Sequence, residues 1–270
     1  MTDPEKFAEN VRRFTGFARH YDRHRPSPPA MLADLVAKFS GMPRPALVVD
    51  LGSGTGLSTR YWADKAERVI GLEPTSDMRT QAEATTMATS VTYREGFSHQ
   101  TGLPAGCAQV VCCVQALHWM EPEATFAEAA RILQPGGAFV ACDYDWPPAS
   151  GSWEADSAFE ACIRLGRKQE HERGLTARLK QWPKEGHLAR MQASGSFRYV
   201  RELALHHVDS GNAARLVALL LSQGYIVSLQ RAGVSDDELG VTTLREVAQR
   251  TLGDAMRSWL WTARVRVGVV

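Results

Sequence analysis

The stretch Leu47-Val-Val-Asp50-Leu-Gly52-Ser-Gly54-Thr-Gly56 decides the fold. Its first half is an apolar run rich in β-branched residues, typical of a buried strand, and a helical pattern follows the last glycine. Glycines at such a turn let the backbone bend sharply and let a ligand approach the main-chain amides at the helix start. The stretch therefore predicts a strand-turn-helix unit with a ligand site at the turn.

Apolar strand-like runs alternate with helical patterns downstream of this turn. The sequence predicts strands over 46–50, 68–73, 91–95, 108–114 and 138–142, and helices over 57–65, 76–88 and 122–133. Residues 134–137, Gln-Pro-Gly-Gly, are typical of a stop and turn. Near-continuous apolar strands separated by helices indicate a parallel sheet covered on both faces. We predict a doubly wound, Rossmann-like α/β fold.

The pattern becomes mainly helical after residue 142, with two further strand-like stretches at 197–205 and 260–267. Both alternate with period 2 over part of their length, as expected for strands with one exposed face. Helices are predicted over 213–229 and 243–252, with Asn212 as a helix N-cap. We expect a seven-stranded, mostly parallel sheet with an antiparallel edge strand and a helical cap over the active site.

Composition excludes several classes of protein. The chain has 31 Lys+Arg against 30 Asp+Glu, and 44% of its residues are hydrophobic, which excludes disorder and gives no electrostatic footprint for nucleic acid or an anionic membrane. The first residues, Met-Thr-Asp-Pro-Glu-Lys, are charged, and no run reaches the roughly 18 apolar residues of a membrane span. We expect a cytoplasmic protein. Five cysteines without paired metal-type spacing predict neither disulfides nor a metal site.

The glycine turn and four later segments resemble the motif series of the class I S-adenosylmethionine-dependent methyltransferases. Asp50-x-Gly52-x-Gly54-x-Gly56 is similar to the first motif of that family. The later segments follow in the family's order: Gly71-Leu-Glu-Pro74, Gly96-Phe-Ser-His-Gln-Thr-Gly-Leu-Pro104, Gln115-Ala-Leu-His-Trp119 and Ala129-Ala-Arg-Ile-Leu-Gln-Pro-Gly-Gly137. The third of these, together with the leader segment 14–26, is similar to a small-molecule branch that includes trans-aconitate methyltransferase-like enzymes.

The resemblance implies S-adenosyl-L-methionine as cofactor and S-adenosyl-L-homocysteine as product. It implies that Glu73 accepts both ribose hydroxyls and that Tyr21 and Arg25 close over the cofactor. The implied cofactor-binding residues are Asp50, Gly52, Ser53, Gly54, Gly56, Glu73, Phe97, Ser98, Gln115, Tyr21 and Arg25. From the change of pattern along the chain we expect a helical leader that closes over the cofactor (1–44), a cofactor-binding core (45–142) and a helical substrate cap with the last two strands (143–270).

The methyl acceptor is expected to bind where the fourth and fifth strands end. His118 is a candidate general base, because the pKa of a histidine can be tuned near neutrality. A carboxylate acceptor would need no base, and His118 would then only form a wall of the pocket. Trp119, Tyr144, Asp145 and Trp146 are expected to line the acceptor pocket. A sulfonium methyl group is already activated, so positioning and exclusion of water carry most of the catalysis.

Several functions stay open at this point. We expect transfer to a small organic acceptor, with oxygen as the acceptor atom and nitrogen or carbon as alternatives, by a monomer or homodimer that binds neither nucleic acid nor membrane. Residues 164–201 carry ten Lys/Arg against three acids. That excess is either a solvated face, a partner for the acids of 143–160, or the basis of a nucleic-acid methyltransferase. A non-catalytic cofactor-binding module is a further alternative, whereas Leu57 in place of a third glycine disfavours a nicotinamide enzyme.

Overall fold

The computed structural model describes residues 6–270, and residues 1–5 of the charged leader lie outside the described residues. The strands are β1 (Leu47–Leu51), β2 (Arg68–Leu72), β3 (Val91–Arg94), β4 (Ala108–Val114), β5 (Leu133–Tyr144), β6 (Tyr199–Gly211) and β7 (Arg257–Val269). They form one sheet in the order β3-β2-β1-β4-β5-β7-β6. The chain therefore builds the predicted seven-stranded sheet.

Helices cover the sheet and connect its strands. They are α1 (Ala8–Arg13), α2 (Ala18–His24), α3 (Leu32–Ser40), α4 (Leu57–Trp62), α5 (Ser76–Thr85), α6 (Pro122–Ile132), α7 (Trp153–Glu172), α8 (His187–Ala193), α9 (Ala213–Leu221), α10 (Gly224–Arg231) and α11 (Val241–Thr251). Short 3₁₀ turns lie at Leu117–Trp119 and Lys184–Gly186.

The parallel half of the sheet is buried on both faces. Val48 pairs with Val69 on one side and with Val110 on the other, both in parallel. These three side chains belong to one hydrophobic cluster, whereas the neighbouring Val49 and Val111 belong to a second cluster on the opposite face. Because successive side chains point to opposite faces, the uninterrupted apolar pattern of these strands follows from the two covered faces. The doubly wound fold is confirmed.

The last two strands return to the same sheet, but the antiparallel strand is not at its edge. β7 lies between β5 and β6 and pairs antiparallel with both, so β6 forms the edge. Trp259, Trp261 and Val265 of β7 are fully buried, while β6 alternates between exposed and half-buried residues. The strand with the more apolar face takes the interior position, where both of its backbone edges are paired.

Some element boundaries differ from the prediction. The helix expected over 213–229 breaks into α9 and α10, whose axes bend by 73° at an extended Gln223. Asn212 caps α9 as predicted, since its Oδ1 accepts the amide of Arg215 at 3.0 Å. β5 begins at Leu133 rather than after the Gln-Pro-Gly-Gly turn, which becomes an irregular part of the strand with φ 81° at Gly136.

Helices from the second half of the chain pack on one face of this sheet. Phe159 of α7, Leu216 of α9 and Leu244 of α11 share one hydrophobic cluster with the sheet residues Val140 and Trp261. Over residues 6–270 no single helix is long and apolar enough to span a membrane, and α9 with α10 reaches that length and composition only as a bent pair.

Three polar contacts, one of them a buried ion pair, connect the N-terminal leader to the rest of the molecule. Arg13 Nη1 and Glu170 Oε1 of α7 are 2.6 Å apart, with side chains only 6% and 7% exposed. Arg60 of α4 pairs with Asp22 at 2.6 Å, and the Gly16 amide donates to Asp77 Oδ2 at 2.7 Å. The leader is therefore fixed against α7, α4 and α5.

Glu170→Ala is expected to lower the free energy of unfolding by about 3–5 kcal/mol, because it leaves the Arg13 guanidinium buried without its counterion. Glu160→Ala on the same helix removes an exposed pair with Arg164 and should change it by less than about 0.5 kcal/mol. Urea unfolding of the two variants measures both values. Equal effects would show that the buried pair does not hold the leader.

A second buried carboxylate lies at the end of β1. Asp50 is fully buried, and its Oδ2 accepts the hydroxyls of Ser58 at 2.6 Å and Thr59 at 2.7 Å. Burial nevertheless raises its pKa from 3.8 to about 6. The carboxylate therefore holds the start of α4 beneath the glycine turn.

The raised pKa of Asp50 predicts a pH dependence of stability. A carboxyl group whose pKa is higher in the folded state stabilises the fold below the unfolded value of 3.8 and loses that contribution as the pH rises through about 6. Relative to Asp50→Asn, the wild-type free energy of unfolding should fall by about 3 kcal/mol over this window. Urea unfolding of both proteins across the window measures the difference, and a difference that stays constant with pH would contradict the assignment.

Candidate functional site

A pocket of about 1120 Å³ opens at the carboxyl ends of β1, β2 and β4. The glycine turn forms one side, and leader residues such as Phe14, Tyr21 and Arg25 form another. Ligands of open α/β sheets bind at this edge, where the strand order reverses beside β1. The turn predicted from sequence thus lines a concave site at this edge of the sheet.

The glycine turn is shaped by backbone conformations that disfavour side chains. Gly52, Gly54 and Gly56 have φ values of 66°, 55° and 86°. The amides of Gly52 and Ser53 both donate to the Leu72 carbonyl oxygen, at 2.8 and 3.0 Å, so the turn is fastened to the end of β2. A β-carbon on Gly52 would lie 2.6 Å from the Met120 methyl carbon, whereas one on Gly54 would meet nothing within 4 Å.

Glu73 faces the glycine turn from the end of β2. Its Oε2 accepts the Gly54 amide at 3.0 Å and its Oε1 accepts the Thr75 amide at 2.9 Å. The side chain is buried, and burial raises its pKa above the usual value. A carboxylate has about four acceptor sites, so Glu73 can accept a further hydrogen bond from a ligand.

Several polar atoms around this pocket lack a hydrogen-bond partner. Among them, Ser53 Oγ, Thr55 Oγ1 and Gln115 Nε2 are buried without a hydrogen bond within residues 6–270, and their residues line the pocket. Buried polar groups without partners are rare in folded proteins. A ligand rich in hydroxyl, amino and carboxylate groups, such as S-adenosylmethionine, fits this set.

Aromatic side chains and Arg25 enclose the pocket from the leader side. The Arg25 guanidinium lies 4.7 Å from the ring centroids of both Tyr21 and Trp146. It also donates to Ser222 O and Gln223 Oε1, each at 3.0 Å. The structure therefore brings the predicted Tyr21, Arg25 and Trp146 together near the C-terminal ends of α2 and α9.

Other predicted cofactor residues fall into two groups. Phe97 and Ser98 line the pocket, with the Ser98 hydroxyl bonded to Thr125 at 2.8 Å. Asp50 and Gly56 do not line it. The Asp50 carboxylate is used by α4, and a side chain on Gly56 would collide with the Tyr93 hydroxyl. These two residues support the turn from behind.

His118 lies behind the pocket rather than in its lining. It is 8% exposed, and its Nδ1 is 3.8 Å from Asp143 Oδ1. Burial first, and then the nearby Lys184 ammonium, hold its pKa well below the usual value, so the ring is neutral at neutral pH. Asp143 itself pairs with Lys184 and Arg266, each at 3.0 Å.

Two of the four residues predicted for the acceptor pocket lie elsewhere. Trp119 and Trp146 line the pocket, but Tyr144 and Asp145 do not. Because β5 continues to Tyr144, that ring packs into the core 5.1 Å from Trp261, and its hydroxyl donates to Ser27 O at 2.6 Å. Asp145 forms an exposed pair with Arg264 at 3.1 Å.

The structure adds residues that the sequence patterns did not indicate. Phe7 and Asn10 of the leader line the pocket, and Lys184 reaches Gln115 Oε1 at 2.7 Å from a 3₁₀ turn 69 residues away. No local motif marks these residues, since their contacts depend on how distant segments pack. His206 and His207 lie within β6, and no group of metal-binding side chains is found in residues 6–270.

Comparison with known proteins agrees with this geometry. The profile of a methyltransferase-domain family matches residues 49–141. A Saccharomyces cerevisiae protein named a probable S-adenosylmethionine-dependent methyltransferase is 31% identical over 133 residues, 47% of this chain and 45% of that protein. An uncharacterized methyltransferase of Mycobacterium bovis is 31% identical over 117 residues, 43% of this chain and 46% of that protein. The chain spans about half the length of these relatives.

A solved structure extends the similarity of fold to most of the chain. A protein assigned as a type II methyltransferase from Anaeromyxobacter dehalogenans superposes with a TM-score of 0.63 at 22% identity, covering 91% of this chain and 97% of that one. The strand order, the glycine turn, the acidic end of β2 and the matched domain agree with one another. Residues 49–141 thus form a methyltransferase domain, and the chain as a whole has the Rossmann-like fold of a methyltransferase.

Proposed function

We propose that this protein transfers the sulfonium methyl group of S-adenosylmethionine to a small organic molecule, with oxygen as the expected acceptor atom and nitrogen or carbon as alternatives. One observation carries the proposal: a single pocket combines the glycine turn and Glu73 with an aromatic wall built by the leader and by Trp146. The first two suit a nucleoside cofactor, and the wall suits a compact, largely apolar acceptor.

The residues that would hold the cofactor are those around the turn. Glu73 would accept the ribose hydroxyls, while Phe97 and Ser98 would flank the adenine. Ser53 and Thr55 offer buried hydroxyls that lack a partner within residues 6–270. When bound, S-adenosylmethionine supplies a methyl group that is already activated for displacement. The protein then has to orient the acceptor and exclude water.

We favour a structural role for His118 behind the pocket and not a role as general base. Its ring is buried beside Asp143, and its lowered pKa makes it a weak proton acceptor. Trp119, the next residue, lines the pocket instead. An acceptor that is ionised before it binds, such as a carboxylate, needs no base from this chain.

The distribution of charge favours a small acceptor over nucleic acid. Several cations of the basic segment 164–201 are paired with carboxylates: Arg164 with Glu160, Lys168 with Glu172, Arg173 with Glu238 and Lys184 with Asp143. Two of these carboxylates belong to the acidic segment 143–160. Pairing reduces the positive field that a phosphate backbone would require.

Gly54→Val should weaken S-adenosylhomocysteine binding by more than about tenfold, because the added side chain enters the pocket beside Glu73. Gly174→Val is the matched control: φ is 55° at Gly54 and 69° at Gly174, and both β-carbons would meet open space. Backbone strain should therefore be similar, about 1–2 kcal/mol. Calorimetric titration measures the affinity, and equal binding by the two variants would place the cofactor elsewhere.

Label from methyl-labelled S-adenosylmethionine should enter small molecules when the protein is incubated with a panel of carboxylic acids, phenols and amines. Parallel reactions with RNA and DNA should take up none. Chromatographic separation of the products measures the distribution, and Gly54→Val protein purified in the same way controls for contaminating enzymes. Salt-sensitive transfer to nucleic acid would support the alternative activity, and tight cofactor binding without any transfer would support a non-catalytic module.

A further inference from the structure

Gln115 is held in a backbone conformation that disfavours side chains. Among residues 6–270 it is the one residue other than glycine with a positive φ, 55°. It follows β4 directly, and its amide donates to Cys142 O of β5 at 2.8 Å. This conformation is uncommon for a residue with a β-carbon and occurs frequently at functional sites. Here it places a carboxamide beside the pocket.

Lys184 determines which end of that carboxamide is available. Its ammonium lies 2.7 Å from Gln115 Oε1. An ammonium group has only donors, so the oxygen of the carboxamide must face it and the amino group must face away. Nε2 is buried without a partner in the described part of the chain, and Gln115 lines the pocket. Two hydrogens of Nε2 are thus left for a ligand.

Lys184 is itself fixed by charges at the end of β5. Its Nζ is 3.0 Å from Asp143 Oδ1, and Arg266 of β7 holds the other carboxylate oxygen at 3.0 Å. Arg266 is further paired with Glu202 of β6 at 2.7 Å. Asp143 and Arg266 are buried, so the network has little freedom to rearrange. The network therefore fixes Lys184 relative to the sheet, and Lys184 in turn fixes the Gln115 carboxamide.

We propose that Lys184 is a positioning residue that holds the Gln115 carboxamide with its Nε2 toward the pocket, and that Nε2 binds a carboxylate or carbonyl oxygen of the ligand. This inference rests on the proposed cofactor pocket. The oxygen belongs either to the amino-acid end of the cofactor or to the methyl acceptor. In both cases Gln115 selects a hydrogen-bond acceptor at that point and rejects a donor.

The first test measures the orientation of Gln115 without any ligand. The protein is labelled with ¹⁵N at its glutamine side chains for NMR. The resonance that is lost in Gln115→Glu is assigned to the side-chain amide of Gln115. Lys184→Met should shift this resonance, Lys184→Arg should restore it, and Lys168→Met, which removes an exposed lysine, should leave it unchanged. A resonance unaffected by Lys184→Met would overturn the positioning role. Because no ligand is used, this result is independent of whether the protein transfers methyl groups.

The second test uses ligands with and without the amino-acid end. Gln115→Glu keeps an oxygen toward Lys184 but replaces the Nε2 donor, and Gln192→Glu on the surface of α8 is its control. If the cofactor carboxylate is the partner, Gln115→Glu and Lys184→Met should weaken S-adenosylhomocysteine about tenfold and leave methylthioadenosine unchanged. Lys184→Arg should recover most of the loss.

If Gln115 Nε2 binds the methyl acceptor instead, the variants should bind S-adenosylhomocysteine and methylthioadenosine as tightly as the wild-type protein does. The KM of an acceptor found with the small-molecule panel should then rise about tenfold in Gln115→Glu. Unchanged affinities together with unchanged or absent transfer would overturn the role of Nε2. Failure of the wild-type protein to bind S-adenosylhomocysteine would instead refute the proposed function, and the resonance of Gln115 would still decide the role of Lys184.

Discussion

The two hydrogen bonds from the Gly52 and Ser53 amides to the Leu72 carbonyl oxygen fix the site on which the rest of the structure depends. They join the ends of β1 and β2, so the glycine turn cannot move away from Glu73. Glu73 completes the junction by accepting the Gly54 amide. These hydrogen bonds are made on the side of β2, so the other side of the turn is left to a ligand.

Distant parts of the chain then build the pocket over that junction. The leader is fixed by the buried Arg13–Glu170 pair, and Arg25 lies between the Tyr21 and Trp146 rings. On the opposite side, the Asp143–Lys184 pair brings a cation from the connection between β5 and β6 to the end of β4. Buried charges of this kind need defined partners, so each pair fixes where its two segments meet.

The predictable part of the site is the part encoded in short segments. The turn, Glu73, Phe97, Ser98 and Gln115 follow predicted strands, and strand ends of a parallel sheet meet at one edge. Tyr144 and Asp145 were expected in the acceptor pocket because the strand was predicted to end at residue 142, whereas β5 continues to Tyr144. Lys184 and the break between α9 and α10 have no local signal at all.

The doubly wound sheet, the glycine turn and its acidic partner can be predicted from the amino-acid sequence, because hydrophobic period, glycine spacing and strand ends are local properties. Three features emerge from the folded chain alone: β7 lies inside the sheet, His118 is buried behind the pocket, and Lys184 orients Gln115. These features depend on contacts between buried surfaces and charges that lie tens of residues apart in the sequence. Such pairings are fixed by packing and desolvation of the whole chain, and no short segment records them.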